Sequence, residues 1–265
     1  MIGNEGALHP HRHGEPGPAA REPTQASTQR QGPEAPVGQR QELASRPMAP
    51  PRIVLLDLDG TLVDAHDAIV DGVIALATEA GLTVPDRAWT HARIGQPPDD
   101  TWKLLGAHDP GAMSALFVER YVPQLPARTR ILPGVIAALD ALISFGATLA
   151  VATSRTTGAA EHTLQALQLA SHMTQVSGRD LVDHPKPAPD LLQLALRGLS
   201  AEPHEALMIG DSDADVLAAN AAGIRCWAVL GGVGSEDELR AAGPERILPG
   251  GMADVPTAWQ NSDWS

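Results

Sequence analysis

The sequence predicts an α/β fold with a parallel sheet at its centre and a helical block inserted after the first strand. Three observations predict it. Ile53-Val54-Leu55-Leu56 is apolar at every position, the pattern of a strand covered by helices on both faces. From Pro133 on, short apolar runs alternate with helix-patterned segments, which implies right-handed βαβ crossovers. Between Asp64 and Phe145 the pattern is helical throughout, and no strand is expected there.

Residues 1–50 come first. They are rich in Pro, Gly, Gln and Arg, hold no aromatic residue and offer nothing that could bury a core, so a disordered extension is expected. They lack the apolar stretch of a signal peptide, and their five arginines are matched by five glutamates, unlike a transit peptide. His9, His11 and His13 read as part of a solvated tail, and Met48 falls just before the first strand.

That strand, residues 53–56, runs into Asp57-Leu58-Asp59-Gly60-Thr61-Leu62-Val63-Asp64. Strand alternation starts Asp57 and Asp59 on the same side, at the sheet edge where open α/β sheets bind ligands. Gly60 lets the chain turn sharply and come close to a ligand. Two carboxylates this close repel, a divalent cation removes the penalty, and hard oxygen donors favour Mg²⁺.

Helices are expected over 68–80, stopped by Gly81, and then over 86–94, 99–105 and 111–122, punctuated by Pro85, Pro97, Pro98, Pro110 and Pro123. The alternating part follows. Helices are expected over 133–145, 158–169, 189–199, 213–222 and 235–242, and strands over 148–153, 175–177, 206–210, 225–230 and 246–248. The expected division is an α/β core over 51–64 and 131–250, a helical block over 65–130 and a C-terminal tail over 251–265.

Composition excludes several functions. A net charge of -13 argues against nucleic acid and anionic membranes, and 3% aromatic residues are too few for a base-stacking surface. No apolar run approaches the ~20 residues of a membrane span. The single Cys226 rules out an internal disulfide and a cysteine metal cluster, and its place in an expected strand makes it a packed core thiol.

Three later segments carry candidate chemistry. Thr153 and Ser154 end a strand at a helix entrance, where hydroxyls and amides suit a phosphate oxygen as well as a helix cap. His184-Pro185-Lys186-Pro187 holds one of only two lysines, the other being Lys103, in a chain whose default cation is arginine. A compact ammonium there can neutralise a phosphate and an aspartate together. Gly210-Asp211-Ser212-Asp213-Ala214-Asp215 follows a strand with more acids than helix capping needs, which points to metal coordination. Gly231-Gly232-Val233-Gly234 lacks the third glycine of a dinucleotide fingerprint and reads as a turn. His66 and His91 could face a substrate but read as core or surface residues.

In this order, and spanning roughly residues 53–222, these segments resemble the four motifs of the haloacid dehalogenase-like (HAD) hydrolase superfamily, most of whose members are phosphatases. The resemblance implies a Rossmann-like core, with residues 65–130 as a C1-type helical cap. It makes Asp57 the nucleophile and Asp59 the general acid/base. Thr153, Ser154 and Lys186 become phosphate ligands, and Asp215 a supporting acid. Mg²⁺ would be held by Asp57, the Asp59 carbonyl and Asp211. Ile94-Gly95-Gln96-Pro97-Pro98 resembles a cap loop of phosphoglycolate phosphatase-like members, which makes Arg93, Gly95 and Gln96 candidate specificity residues. Ala65 stands where the family often has Ser.

The expected function is Mg²⁺-dependent hydrolysis of a small phosphorylated metabolite in the cytoplasm, 2-phosphoglycolate being the first candidate. A β-phosphoglucomutase-like phosphotransferase, or a pyrophosphatase or nucleotidase of the same superfamily, is the alternative. A non-catalytic HAD-like protein is the alternative from another class, and the intact acids speak against it. Dehalogenases lack an Asp59-type acid, and a phosphonate hydrolase would need a cap lysine where Lys103 does not stand.

Overall fold

The computed structural model describes residues 49–264. The extension expected over residues 1–50 therefore lies outside the described residues, save its last two. Among the described residues eight strands form two sheets. Six of them, β1 Ile53–Leu56, β4 Thr148–Thr153, β5 Gln175–Gly178, β6 Ala206–Gly210, β7 Arg225–Val229 and β8 Arg246–Leu248, form one parallel sheet in the order β5-β4-β1-β6-β7-β8. Helices fill the connections, as parallel pairing requires. Winding reverses beside β1, with Leu56 paired to Val151 on one side and Ile209 on the other. The strand ends at Asp57, Thr153 and Gly210 thus lie side by side at a topological switch point, where α/β sheets take ligands.

The apolar run of β1 is explained by two cores. Val54 and Leu56 face one layer with Leu139, Val151, Ile209 and Trp227, while Ile53 and Leu55 face the other with Leu191, Met208 and Val216. No position of that strand meets water.

The inserted block consists of α1 His66–Glu79, α2 Arg87–His91, α3 Pro98–Leu104, α4 Pro110–Arg120 and a 3₁₀ segment Val122–Arg128. It has a small core of its own, in which Val73, Leu76 and Trp102 pack with Phe117 and Tyr121. Gly72 permits this approach, since a Cβ there would stand 2.9 Å from the Phe117 ring. The helix expected over 86–94 ends at His91; Gly95, at φ 92, turns the chain out of it. One expectation is corrected. The block is not free of strands, because β2 Val63–Asp64 and β3 Arg130–Ile131 form an antiparallel ladder where it leaves and rejoins the core. A two-residue strand carries no readable period.

The remaining helices are α5 Val135–Ser144, α6 Thr157–Ala166, α7 Asp190–Gly198, α8 Asp213–Ala222, α9 Glu236–Ala242 and α10 Val255–Gln260. The last was not expected. Residues 251–264 dock on the core, where Met252, Val255 and Trp259 are buried and the Trp264 ring stacks on Trp227 at 5.8 Å. Six residues with a proline in the first turn show too little periodicity to be read as a helix. Among the described residues no helix is long and apolar enough to cross a membrane.

Candidate active site

Asp57 is the first residue beyond β1, and its N–H donates to the Ile209 carbonyl at 2.9 Å, which fixes it at the switch point. Its carboxylate Oδ1 accepts from Lys186 Nζ at 2.6 Å, whereas Oδ2 accepts no hydrogen bond among the described residues. Lys186 is 4% exposed and uses all three of its N–H groups: on Asp57, on Asp215 Oδ1 at 2.6 Å and on the Ala152 carbonyl at 3.0 Å. Asp215 also caps its helix. Ser212 is the N-cap, and its N–H and hydroxyl donate to Asp215 Oδ2 in a capping box. Asp215 thus caps its helix through one oxygen and meets Lys186 with the other.

Asp211 is clasped from two sides. Thr61 Oγ1 donates to its Oδ1 at 3.0 Å, and the Val233 N–H to its Oδ2 at 2.8 Å. A Cβ on Gly60 would lie 2.2 Å from Asp211 Oδ2, and one on Gly232 would lie 1.9 Å from it. The 231–234 turn is thus a wall of the site, a role its sequence did not reveal.

Asp57, Asp211 and Asp215 are buried, with carboxylate oxygens within 4.8 Å of one another. One ammonium faces three acids. Burial pushes the Asp57 carboxyl up to about 7, against the pull of Lys186. Burial, with Asp57 and Asp215 adding to it, pushes Asp211 well above the ordinary carboxylate range. Burial also acts against the Lys186 charge, but Asp215 and Asp57 outweigh it and hold the ammonium above its ordinary value. A divalent cation would relieve this excess of negative charge, and a set of hard carboxylate oxygens in a tight glycine cradle fits a small one.

The Asp59 carboxylate stands apart from the three acids. It is bound by Arg155 through both oxygens, Nε to Oδ2 at 2.6 Å and Nη2 to Oδ1 at 2.5 Å. Thr153 is 1% exposed, and its Oγ1 accepts from the Arg155 N–H at 3.2 Å. Both Thr153 and Ser154 line the cavity above Asp57.

Comparison with known proteins identifies the family. The haloacid dehalogenase-like hydrolase family matches residues 54–229. The chain belongs to that family. It is 36% identical over 205 residues to "Probable phosphatase IndB" of Dickeya dadantii, covering 74% of this chain and 88% of the other. It is 30% identical over 185 residues to the phosphoglycolate phosphatase of Mesorhizobium japonicum, covering 67% and 82%. A hydrolase from Pseudomonas syringae superposes with a TM-score of 0.68 at 25% identity, covering 79% and 99%.

In this HAD-like chain the inserted block and the core share one cavity of ≈ 160 Å³. Asp57, Asp59, Thr153, Ser154, Arg155 and Lys186 line it from the core, and Arg93, Gly95 and Gln96 from the block, beside apolar Ile69, Phe117 and Val118. Arg93 is half-buried with its guanidinium 4.1 Å from the Trp89 ring, and it makes no ion pair among the described residues. Lys103 is exposed and away from the cavity. His66 is buried edge-on to His91 at 4.9 Å, outside the cavity, and burial pulls it below its ordinary value. Cys226 is a buried core thiol that burial pushes up, hence inert.

Sequence reasoning missed Thr61, the 231–234 turn and Arg155. Thr61 lay in the motif that was read for its acids. Arg155 follows Ser154 directly, but in an arginine-rich chain it carried no signal.

Proposed function

We propose that the protein is a Mg²⁺-dependent phosphatase that hydrolyses a small phosphorylated metabolite through a phosphoryl-Asp57 intermediate. One observation carries this reading: Asp57 is held by Lys186 through one oxygen while its other oxygen stays unpaired beneath the shared cavity.

Asp57 Oδ2 attacks phosphorus, and the bond to the ester oxygen breaks. Asp59 gives its proton to the departing oxygen. It then takes one from the water that attacks phosphoryl-Asp57, which frees phosphate and restores the carboxylate. The Thr153 and Ser154 hydroxyls stand ready for phosphoryl oxygens, while Lys186 neutralises Asp57 from behind. A bound Mg²⁺, held by Asp57, Asp211 and the Asp59 carbonyl with Asp215 in support, would shield the approach of one anion to another. The inserted block acts as the cap, limiting solvent and choosing the leaving group. A cytoplasmic setting belongs to the same proposal and follows from the kind of substrate.

Within that class 2-phosphoglycolate is the first candidate. Support comes from Arg93, a cation in the cavity with no carboxylate partner among the described residues, and from the name of the Mesorhizobium relative. The test is phosphate release from 2-phosphoglycolate, sugar phosphates, nucleotides and pyrophosphate, with and without chelator. β-Glucose 1-phosphate is assayed in parallel for isomerisation. Phosphate release that needs Mg²⁺ is the expected result. Isomerisation with little free phosphate would make the chain a mutase, and turnover unaffected by chelator would remove the metal.

A further inference from the structure

We propose that Arg155 is the positioning residue for Asp59, and that it sets how well the enzyme expels poor leaving groups. The proposal rests on the phosphatase reading above and deepens it.

The Arg155–Asp59 pair differs from the other arginine pairs of this chain. Its side chains are 10% and 14% exposed, against 48% and 30% for Arg52 with Glu205, or 53% and 81% for Arg87 with Asp67. Little water competes for it. A buried ion pair is weak evidence for stability, so its place in the cavity beside the nucleophile asks for another reason.

Arg155 is itself fixed at every point. Its third arm, Nη1, donates to Thr163 Oγ1 at 2.9 Å, and that hydroxyl donates to the Ala159 carbonyl at 3.1 Å. Thr163 is wholly buried. The Arg155 N–H donates to Thr153, and its carbonyl accepts from the Arg179 N–H at 2.8 Å. A Cβ on Gly178 would stand 2.7 Å from that carbonyl, so β5 presses directly against this turn.

A carboxylate has about four lone-pair sites. The guanidinium takes one on each oxygen and leaves one on each open. Asp59 is thereby held in one plane without being used up. The same carboxyl must give its O–H proton to the leaving oxygen and later take a proton from water, so a misplaced plane harms both steps. Arg155 stands to Asp59 as the orienting group stands to the base in a catalytic triad.

The test uses leaving groups that differ in their need for a proton. p-Nitrophenolate departs unprotonated; an alkoxide does not. In Arg155→Met, kcat/KM for the best alkyl phosphate of the panel should fall on the order of 10²-fold, the lower range for losing acid catalysis. For p-nitrophenyl phosphate it should fall less than about tenfold. Because the second step also needs Asp59, a burst of p-nitrophenolate should appear as phosphoryl-Asp57 accumulates. Arg155→Lys should recover part of the alkyl activity. Thr163→Val, which removes the anchor of Arg155 along with one hydroxyl bond inside its own helix and touches neither Asp59 nor the cavity, should show the same imbalance more weakly.

Equal losses on both substrates in all three variants, with no burst, would overturn the proposal. So would a rise in KM at constant kcat, which would make Arg155 a substrate ligand. A wild-type chain that hydrolyses neither compound overturns the phosphatase reading first, and this proposal with it.

Discussion

Lys186 Nζ lies 2.6 Å from Asp57 Oδ1, and the two side chains are 2% and 9% exposed. The contact joins a loop before α7 to the end of the central strand, so the charge balance of the site and the stability of the fold share one bond. Removing one partner of a buried pair leaves the other uncompensated, at a cost of about 3–5 kcal/mol. Lys186→Met should lose stability on that scale in chelator, because Asp57 and Asp215 would then face each other without a cation. Mg²⁺ should restore part of it. Urea melts with and without metal measure both effects, and an unchanged midpoint would show that the ammonium is not needed to hold the acids.

Asp57→Asn keeps the shape of the side chain and deletes the attacking charge. Turnover should fall by more than about 10²-fold while the melting temperature holds or rises, since Lys186 keeps Asp215 as its partner and one acid of an excess is removed. Activity within a tenth of wild type would remove Asp57 as the nucleophile.

Metal-free stability should fall as pH rises toward neutrality. Burial holds the Asp57 carboxyl up to about 7 and Asp211 well above the ordinary range, whereas in the unfolded chain both titrate at ordinary values near ~4. Between about pH 4 and pH 7 the folded state therefore binds protons that the unfolded state has lost, and raising the pH costs stability. Asp64 and Asp71, held below their ordinary range, act with the opposite sign but titrate below that window, whereas His66, which burial also holds below its ordinary value, opposes the fall within it and is outweighed by the two acids. In chelator the melting temperature should drop from about pH 5 to about pH 8, and Mg²⁺ should flatten the drop by replacing protons with a cation. A chelated protein that grows more stable over that range would contradict the charge excess described for the site.

The candidate site was legible in the sequence where chemistry and periodicity coincide. The run 53–56 read as a strand covered on both faces, and the acids at its end exceeded what a strand end needs. Lys186 stood out because lysine is rare in this chain. The acids at 211 and 215 exceeded the needs of a cap, although Asp215 performs that task as well. The rest was hidden because its signal is tertiary. Arg155 is defined by Asp59, which lies 96 positions away. Val233 is defined by Asp211 on a neighbouring strand end. The β2–β3 ladder is too short to show a period.

The C-terminal segment was hidden for the same reason, and its packing can be measured. Trp259 is 5% exposed and meets Phe145 at 6.1 Å and Trp227 at 6.3 Å between ring centroids. Trp259→Ala should cost about 3–5 kcal/mol, as truncation of a buried tryptophan does. A loss below about 1 kcal/mol would mean that residues 251–264 are a tail after all.

The choice of substrate should turn on Arg93. Its guanidinium lines the cavity, stacks at 4.1 Å on Trp89 and lacks an anionic partner among the described residues, where most arginines are paired with acids. Burying a cation without a partner is unfavourable unless a ligand supplies one. A carboxylate two atoms from the phosphoryl oxygen would do so, and a charged hydrogen bond of that kind contributes about 1.5–3 kcal/mol, or roughly ten- to a hundredfold. Arg93→Met should therefore lower kcat/KM for 2-phosphoglycolate by that factor. For ethyl phosphate, which has the same reach but no carboxylate, the change should stay within about threefold. Arg93→Lys should recover little, because an ammonium cannot stack flat on the indole while turning a fork of donors into the cavity. Equal losses on both esters would move Arg93 from substrate choice to the packing of the inserted block. The first candidate would then have to be sought among alcohols without a second charge, for which Ile69, Phe117 and Val118 already provide an apolar wall.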